Sequence, residues 1–187
     1  MRARNLTESR IEFVFGEVGD RLRSELKVFW KQHGQVYQEE LRSFRLASSS
    51  NRVQHFDPLN KPLLRQPAAV SRDQSGVING IMFVVLRELD DSLGLGSHAY
   101  FQRMYIVPES RYYGLTNRLF REFLQGFDRE AGKRDHRAKV LLAENINPAL
   151  QKASMRRYFV RLGFQMLGGN RLGSEIWIRR LNTHFSF

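Results

Sequence analysis

The spacing of apolar and polar residues divides the first third of the chain into one strand and helical segments. An alternating apolar segment, Ile11 to Phe15, predicts the first strand. Apolar residues at helical spacing then predict a helix from Asp20 to His33 and a second, weaker helix from about Val36 to Leu46. Residues 48–67 carry a serine cluster and three of the five prolines, so we expect a loop there.

The rest of the chain alternates strands with amphipathic helices. Leu115 to Phe127 places apolar residues on one helical face and predicts a helix that Gly132 ends. Before this helix the pattern predicts strands at 68–72 and 77–86, joined by a D-Q-S-G turn, and a strand at 99–107. After it the pattern predicts a buried strand at 138–143 and a helix at 148–162 that Gly163 closes. A last strand is predicted at 175–181, after a turn at Gly168 and Gly169.

This order of elements predicts a single domain with an α/β architecture. A chain of 187 residues can bury one core of ordinary size and is short for two. Strands that alternate with helices bury their apolar faces best as a mixed sheet flanked by helices. We therefore expect one α/β (α+β) domain over residues 1–187, with residues 48–67 as a surface excursion.

The amino-acid composition excludes several kinds of site and favours one class of partner. The chain has no cysteine, which excludes disulfides, cysteine–zinc sites and thiol nucleophiles, and its five histidines show no metal-ligand spacing. The most apolar run, Gly80 to Leu86, is much shorter than the roughly 20 residues that a membrane helix needs, and no apolar stretch follows the basic N-terminus. We expect a cytoplasmic protein without a metal, and the net charge of +11 favours anionic partners.

The segment from Met104 to Thr116, M-Y-I-V-P-E-S-R-Y-Y-G-L-T, carries the candidate chemistry. Pro108 cannot donate a backbone hydrogen bond, so strand pairing must stop there. Gly114 lets a ligand approach the backbone closely, and the first amides of the following helix have no partners within it. The helix dipole adds partial positive charge at the same place, and Arg111 can add charge-assisted bonds. Taken alone, the segment is compatible with a phosphate-binding site and with a tight turn that binds no ligand.

The same segment resembles motif A of the GNAT superfamily, which has an apolar strand, a proline and then (Q/R)-x-x-G-x-(G/A). Arg111, Gly114 and Thr116 occupy the motif positions, and Thr116 departs from the usual Gly or Ala. The ending Leu162-Gly163-Phe164 resembles the Gly-Phe pair that closes a later helix in the family. Asn147 resembles the Asn at the start of that helix, although it lies further from Gly163 than in the usual pattern. The resemblance covers residues 68–181.

The resemblance implies a fold, a reaction and a cofactor site. The implied fold is a mostly antiparallel mixed sheet that splays at the motif A strand, and the implied enzyme is an N-acyltransferase that uses acetyl-CoA or another acyl-CoA. In this family the amine attacks the thioester directly, without a protein nucleophile or a metal. Backbone groups of Ile106 and Val107 would pair with pantetheine. Asn147 would contact the cofactor, as the corresponding Asn of the family does. The diphosphate would lie against Arg111, Tyr112, Tyr113, Gly114, Leu115 and Thr116.

Two residues are candidates for proton transfer. Tyr158 would protonate the CoA sulfur, because a tyrosine on this helix often does so in the family; alternatively, it packs in the core with its hydroxyl at the edge. Glu144, at the end of the strand beside the expected cleft, would be the general base, or an ordinary solvated glutamate. Phe159, next to Tyr158, has no proton to donate.

The acceptor is left open by the sequence. Basic residues concentrate at 133–139, along the helix before Gly163 and at Arg179 and Arg180, beyond what one cofactor needs. Three hypotheses follow: an N-acyltransferase for a small-molecule or peptide amine, an acyltransferase acting on nucleic acid such as aminoacyl-tRNA or a modified base, and a non-catalytic binding protein with the same fold. A solvated basic surface without a nucleic-acid partner and a homodimer are also compatible with the sequence.

Overall fold

The computed structural model describes residues 9–48, 65–170 and 173–181, so most of the expected loop at 48–67 lies outside the described residues. Within them, seven strands form one sheet and three α-helices flank it. The strands are β1 (Arg10–Phe13), β2 (Gln66–Arg72), β3 (Ile78–Glu88), β4 (His98–Ile106), β5 (Ala138–Asn145), β6 (Gln165–Gly169) and β7 (Glu175–Arg180). The helices are α1 (Asp20–Ser48), α2 (Tyr113–Arg129) and α3 (Ala153–Arg161).

The sheet is mixed and mostly antiparallel, as predicted. Its strand order is β1-β2-β3-β4-β5-β7-β6, and β4 with β5 is the parallel pair. Pairing between these two strands ends at Gln102 and Ala143, although β4 continues to Ile106 and β5 to Asn145. The two central strands therefore part at one end, which confirms the predicted splay and opens a gap in the sheet.

Helix α1 is one continuous helix, so the predicted break between His33 and Val36 is wrong. Gly34 lies inside the helix, where a glycine costs about 1 kcal/mol relative to alanine. The apolar stripe nevertheless continues across it: Phe29 and Tyr37 are both buried and pack with Tyr105 of β4 in one cluster. Packing of this face against the sheet outweighs the local cost of the glycine.

Helices α2 and α3 cover the opposite face of the sheet. The α2 residues Leu115, Leu119, Phe123 and Phe127 have no exposed surface, which confirms the predicted amphipathic helix. Side chains alternate along β4, so that Ile106 packs in the α2 and α3 core while Tyr105 packs under α1. The described residues thus form three layers, and each face of β4 has its own core.

The turns explain the remaining element boundaries. Asp73 closes the predicted β2–β3 hairpin by accepting from the amides of Ser75 and Val77, at 2.9 and 3.0 Å. Gly163 has a φ of 82°, the left-handed conformation expected of the residue that ends α3. The predicted turn at Gly168 and Gly169 is wrong, because both residues belong to edge strand β6 and pair with β7. Their segment lacks apolar alternation since both faces of this edge are largely exposed.

Helix α2 lies close against β1 at Gly126. A Cβ atom built on Gly126 would lie 2.2 Å from Cδ2 of the Phe13 ring, which is shorter than any real contact. We expect Gly126→Ala to lower the free energy of unfolding by about 1–3 kcal/mol, because the ring and β1 must move away. Denaturant unfolding measures the change.

A matched glycine provides the control for this prediction. Nothing lies within 4 Å of a Cβ built on Gly132, and its backbone is not left-handed. Gly132→Ala should therefore change the free energy of unfolding by less than about 0.5 kcal/mol. Equal stabilities for the two variants would contradict the close packing of α2 on β1.

Candidate functional site

The gap between β4 and β5 contains a cavity of about 320 Å³ that is lined from both faces of the sheet. Its walls include residues 102–106 of β4 and residues 144–147 at the end of β5. The α1 face contributes Tyr37, Glu40, Leu41 and Phe44, and the opposite face contributes Thr116, Phe120, Met155, Tyr158 and Phe159. A ligand in this cavity would meet a different helical layer on each side of the sheet.

Alternate residues of β4 direct their backbone N–H and C=O groups toward opposite neighbouring strands, and this alternation determines which groups face the gap. Val107 donates to the carbonyl of Asn79 at 2.9 Å, so the odd-numbered residues of β4 direct their backbone groups toward β3. The groups of Met104 and Ile106 then point toward β5, where pairing has already ended. Val107 also accepts from the Ser110 amide through its carbonyl, so both of its backbone groups have partners within the chain, and its pairing with pantetheine stays a prediction.

Helix α2 starts beside this gap without a side-chain cap. Its N-cap residue, Tyr112, is extended at φ −146° and ψ 155° and makes no capping bond with its side chain. No described residue accepts from the amides of Gly114 and Leu115. Thr116 donates to the Tyr112 carbonyl through both its amide, at 3.2 Å, and its hydroxyl, at 3.3 Å, so its side chain folds back on the helix. This helix start can accept an anion.

Arg111 has partners within the chain, and its contact with a diphosphate stays a prediction. Its Nε donates to the carbonyl of Ile106 at 2.7 Å, and its two terminal nitrogens pair with both oxygens of Glu40 at 2.7 and 2.8 Å. Its guanidinium also lies 5.5 Å from the centroid of the Tyr105 ring. Arg111 therefore ties α1 to the end of β4. Sequence analysis missed Glu40 because it lies 71 residues away from Arg111.

Glu144, the predicted base, joins the two parted strands. One carboxylate oxygen pairs with the guanidinium of Arg103 on β4, which also donates to the Glu144 carbonyl at 3.0 Å. The other oxygen accepts from the side-chain amide of Asn170 at 2.9 Å. Both oxygens are thus occupied in this arrangement, so a role as base would require Glu144 to exchange a partner. Its catalytic role stays a prediction.

Tyr158 lies on the α2 and α3 side of the cavity. Its hydroxyl donates to Oδ1 of Asn117 on α2 at 2.7 Å, and its side chain is largely buried. Phe159, the next residue, packs against Phe164 and Trp177 with ring centroids 5.6 and 5.4 Å apart. Of these two neighbours, only Tyr158 brings a proton donor to the cavity wall.

The two asparagines after Glu144 differ in what they offer. Asn147 caps the short 3₁₀ turn Pro148–Gln151, because its Oδ1 accepts from the Ala149 amide at 2.9 Å. Asn145 is only 3% exposed and lines the cavity, and its side-chain NH₂ group has no hydrogen-bond partner in the described part of the chain. Such a buried donor is costly unless a ligand accepts from it. In the sequence, the position of Asn145 next to the predicted Glu144 was the feature that could have identified it as a residue of the site.

Among the described residues, no cluster of three or more His, Cys, Asp or Glu side chains could hold a metal ion. Within the same residues, no helix combines the length and apolar character needed to cross a membrane.

Comparisons with known proteins identify the fold. No protein-family model matches the sequence, and no curated protein matches it. Similar solved structures include the GNAT superfamily phosphinothricin acetyltransferase of Sinorhizobium meliloti in complex with acetyl-CoA, with 14% identity, a TM-score of 0.54 and coverage of 96% of this chain and 91% of that one. The yncA structure from Salmonella typhimurium, with acetyl-CoA as its cofactor, shares 18% identity at a TM-score of 0.52 and coverage of 97% and 98%.

A third similar structure is the GNAT family N-acetyltransferase YhbS of Escherichia coli in complex with CoA. It shares 11% identity at a TM-score of 0.51, over 97% of this chain and 86% of that one. At such identities the likeness concerns the fold. The chain has the GNAT fold, which confirms the fold implied by the motif A resemblance.

The uncapped start of α2 leads to a test of the diphosphate site. A carboxylate at position 114 would lie among the free amides, so we expect Gly114→Glu to bind acetyl-CoA at least about tenfold more weakly than Gly114→Gln, through charge repulsion. Isothermal calorimetry with acetyl-CoA measures both affinities.

The pair of variants separates charge from packing. A Cβ at position 114 would lie 3.0 Å from the Tyr112 ring, so both substitutions disturb that ring equally. The glutamine variant therefore reports the steric effect alone. Equal affinities in the two variants would show that no phosphate binds at this helix start.

Proposed function

We propose that the protein is an N-acyltransferase that moves an acetyl or other short acyl group from acyl-CoA to a primary amine. The observation that carries the proposal is the junction of two features: the gap between β4 and β5 and the uncapped start of α2 beside it. The first fits an extended arm with amide groups, and the second fits a diphosphate. Acyl-CoA contains both groups in one molecule.

The α2 and α3 side of the gap suits the cofactor. Amides at the start of α2 would hold the diphosphate, and the backbone groups of Met104 would pair with pantetheine as a further strand would. The Ile106 carbonyl already accepts from Arg111, so Ile106 offers its amide alone. Asn145 adds a buried NH₂ donor for a carbonyl of the arm. Acyl-CoA supplies an activated acyl carbon when bound, and this chain's residues position it and handle the protons.

The reaction needs two proton movements. The amine nitrogen forms a bond to the acyl carbon, the carbon–sulfur bond breaks, the sulfur gains a proton and the nitrogen loses one. The backbone amide of Ile106 would polarise the acyl oxygen, and Tyr158 would give a proton to the sulfur. Glu144 would accept the proton from the amine after exchanging one of its present partners, Arg103 or Asn170.

The role of Tyr158 can be separated from its contact with Asn117. We expect Tyr158→Phe to lower kcat by at least about tenfold while the affinity for acetyl-CoA changes little, since the hydroxyl would act in the chemical step. Steady-state kinetics and calorimetry measure the two quantities.

Asn117→Ala is the matched control, because it removes the hydroxyl's partner and keeps the hydroxyl. It should retain most of the turnover. If both variants lose stability equally and neither loses turnover, the hydroxyl is a structural link between α2 and α3.

A nucleic-acid acceptor is the alternative that the surface charge favours. Lys152, Arg157 and Arg161 on and before α3 and Arg121 on α2 are exposed, and α3 also lines the gap. If nucleic acid is bound there, we expect retention on immobilised tRNA to fall steeply between about 50 and 200 mM salt, through release of counterions. Arg157→Glu with Arg161→Glu should abolish that retention.

The control for this test lies on another part of the surface. Lys27 and Lys31 of α1 are exposed too, so Lys27→Glu with Lys31→Glu makes the same change of charge. Retention that is weakened equally by both double variants would indicate a non-specific effect of net charge.

A non-catalytic protein would be recognised by saturable acetyl-CoA binding without acylation of any amine.

A further inference from the structure

We infer that the α1 side of the gap binds the acceptor, that the acceptor is a small amine with an apolar body, and that the hydroxyl of Tyr105 is one of its polar contacts. This inference rests on the proposed function and specifies its acceptor. It begins from a group that the fold leaves without a partner.

The Tyr105 hydroxyl is buried and has no hydrogen-bond partner in the described part of the chain. The residue is 3% exposed and lines the cavity. Burial, and secondarily the nearby Glu40 carboxylate, raise the pKa of Tyr105 against the opposing effect of the neighbouring Arg111 guanidinium, so the phenol stays neutral at physiological pH. A buried hydroxyl without a partner destabilises the fold, and a ligand in the cavity can relieve this cost.

The ring of Tyr105 is held firmly, so its hydroxyl has a fixed position. Trp30 stacks on it with centroids 6.1 Å apart, and Tyr37 meets it edge-on at 5.1 Å. Arg111 lies against the ring with its guanidinium 5.5 Å from the centroid. A polar group whose position is already fixed binds a ligand without losing side-chain entropy.

The charges that line the cavity argue against a polyanionic acceptor. Its described lining contains two arginines, Arg103 and Arg111, and two glutamates, Glu40 and Glu144, which form two ion pairs. Their formal charges cancel, whereas the whole chain carries +11. The excess positive charge therefore lies elsewhere, and the cavity selects its acceptor by shape and hydrogen bonding.

The walls on the α1 side give the acceptor its class. Tyr37, Leu41 and Phe44 present aromatic and aliphatic surface next to Tyr105. An alkyl or arylalkyl group fits such walls, and an amine attached to it can donate an N–H to the Tyr105 oxygen. A volume of about 320 Å³, shared with the end of the acyl-CoA arm, admits a small molecule. The acceptor class is thus a small alkyl or arylalkyl amine, including apolar amino acids.

Tyr105→Phe tests the contact because it removes only the hydroxyl. The acylation assay uses acetyl-CoA with 2-phenylethylamine, isopentylamine, L-leucine and L-phenylalanine as probes, and with aminoacylated total tRNA as the competing class. We expect at least one small amine to be acetylated and its KM to rise about tenfold in the variant, with the KM for acetyl-CoA unchanged. An unchanged amine KM, or acetylation of tRNA alone, would overturn the inference.

A second readout needs no acceptor. Removing an unpaired buried hydroxyl should leave Tm unchanged or raise it, while Tyr100→Phe on the same strand should lower Tm, because the Tyr100 hydroxyl accepts from the Asp135 amide at 2.8 Å. Tyr100 lies outside the lining of the cavity, so its variant should keep the amine KM. A lower Tm for Tyr105→Phe would show that the hydroxyl has a structural partner and would overturn the inference.

The proposed function has its own separate outcome. Wild-type protein that fails to bind acetyl-CoA by calorimetry would refute the acyltransferase proposal itself. Binding of acetyl-CoA with no acetylation of any probe amine would leave the cofactor site standing and would refute the acceptor class.

Discussion

The separation of β4 from β5 is the constraint on which the rest of the site depends. Parallel pairing stops at Gln102 and Ala143, and the backbone groups of the last β4 residues then lack a strand to bond. An open strand edge inside a sheet is costly unless something occupies or bridges it. The ion pair between Arg103 and Glu144 bridges one face of the opening, and an extended ligand can occupy the other. The same opening brings the end of β4 next to the start of α2.

The two layers of helices give the gap two chemically different sides. On the α2 and α3 side lie the uncapped helix start, the Asn145 amide and the Tyr158 hydroxyl, which suit phosphate, carbonyl and sulfur. On the α1 side lie aromatic walls and paired charges that cancel. Because alternate residues of β4 face opposite layers, a single strand serves both sides. The acyl carbon would be transferred where the two sides meet.

Local patterns predicted those parts of the molecule that depend on neighbours in sequence. The helical spacing of Leu115 to Phe127 and the Arg111-to-Thr116 motif identified α2 and the fold, because both are properties of a short segment. The pairs Arg111–Glu40 and Tyr158–Asn117 join residues 71 and 41 positions apart, and no local period encodes them. Helix α1 was divided wrongly for the same reason, since burial of Tyr37 against the sheet, rather than propensity at Gly34, keeps it continuous.

For Arg111, the motif implies one contact and the structure shows others. The motif places Arg111 at the diphosphate, yet its three bonding nitrogens are directed to Ile106 and Glu40. A diphosphate could recruit it only by replacing a bidentate carboxylate, which is itself a strong partner for a guanidinium. The amides of Gly114 and Leu115 need no such exchange, because the helix leaves them unpaired and its dipole favours an anion. The start of α2, more than the arginine before it, is therefore the place in this chain that suits a phosphate, and Arg111 links α1 to the strand that lines the gap.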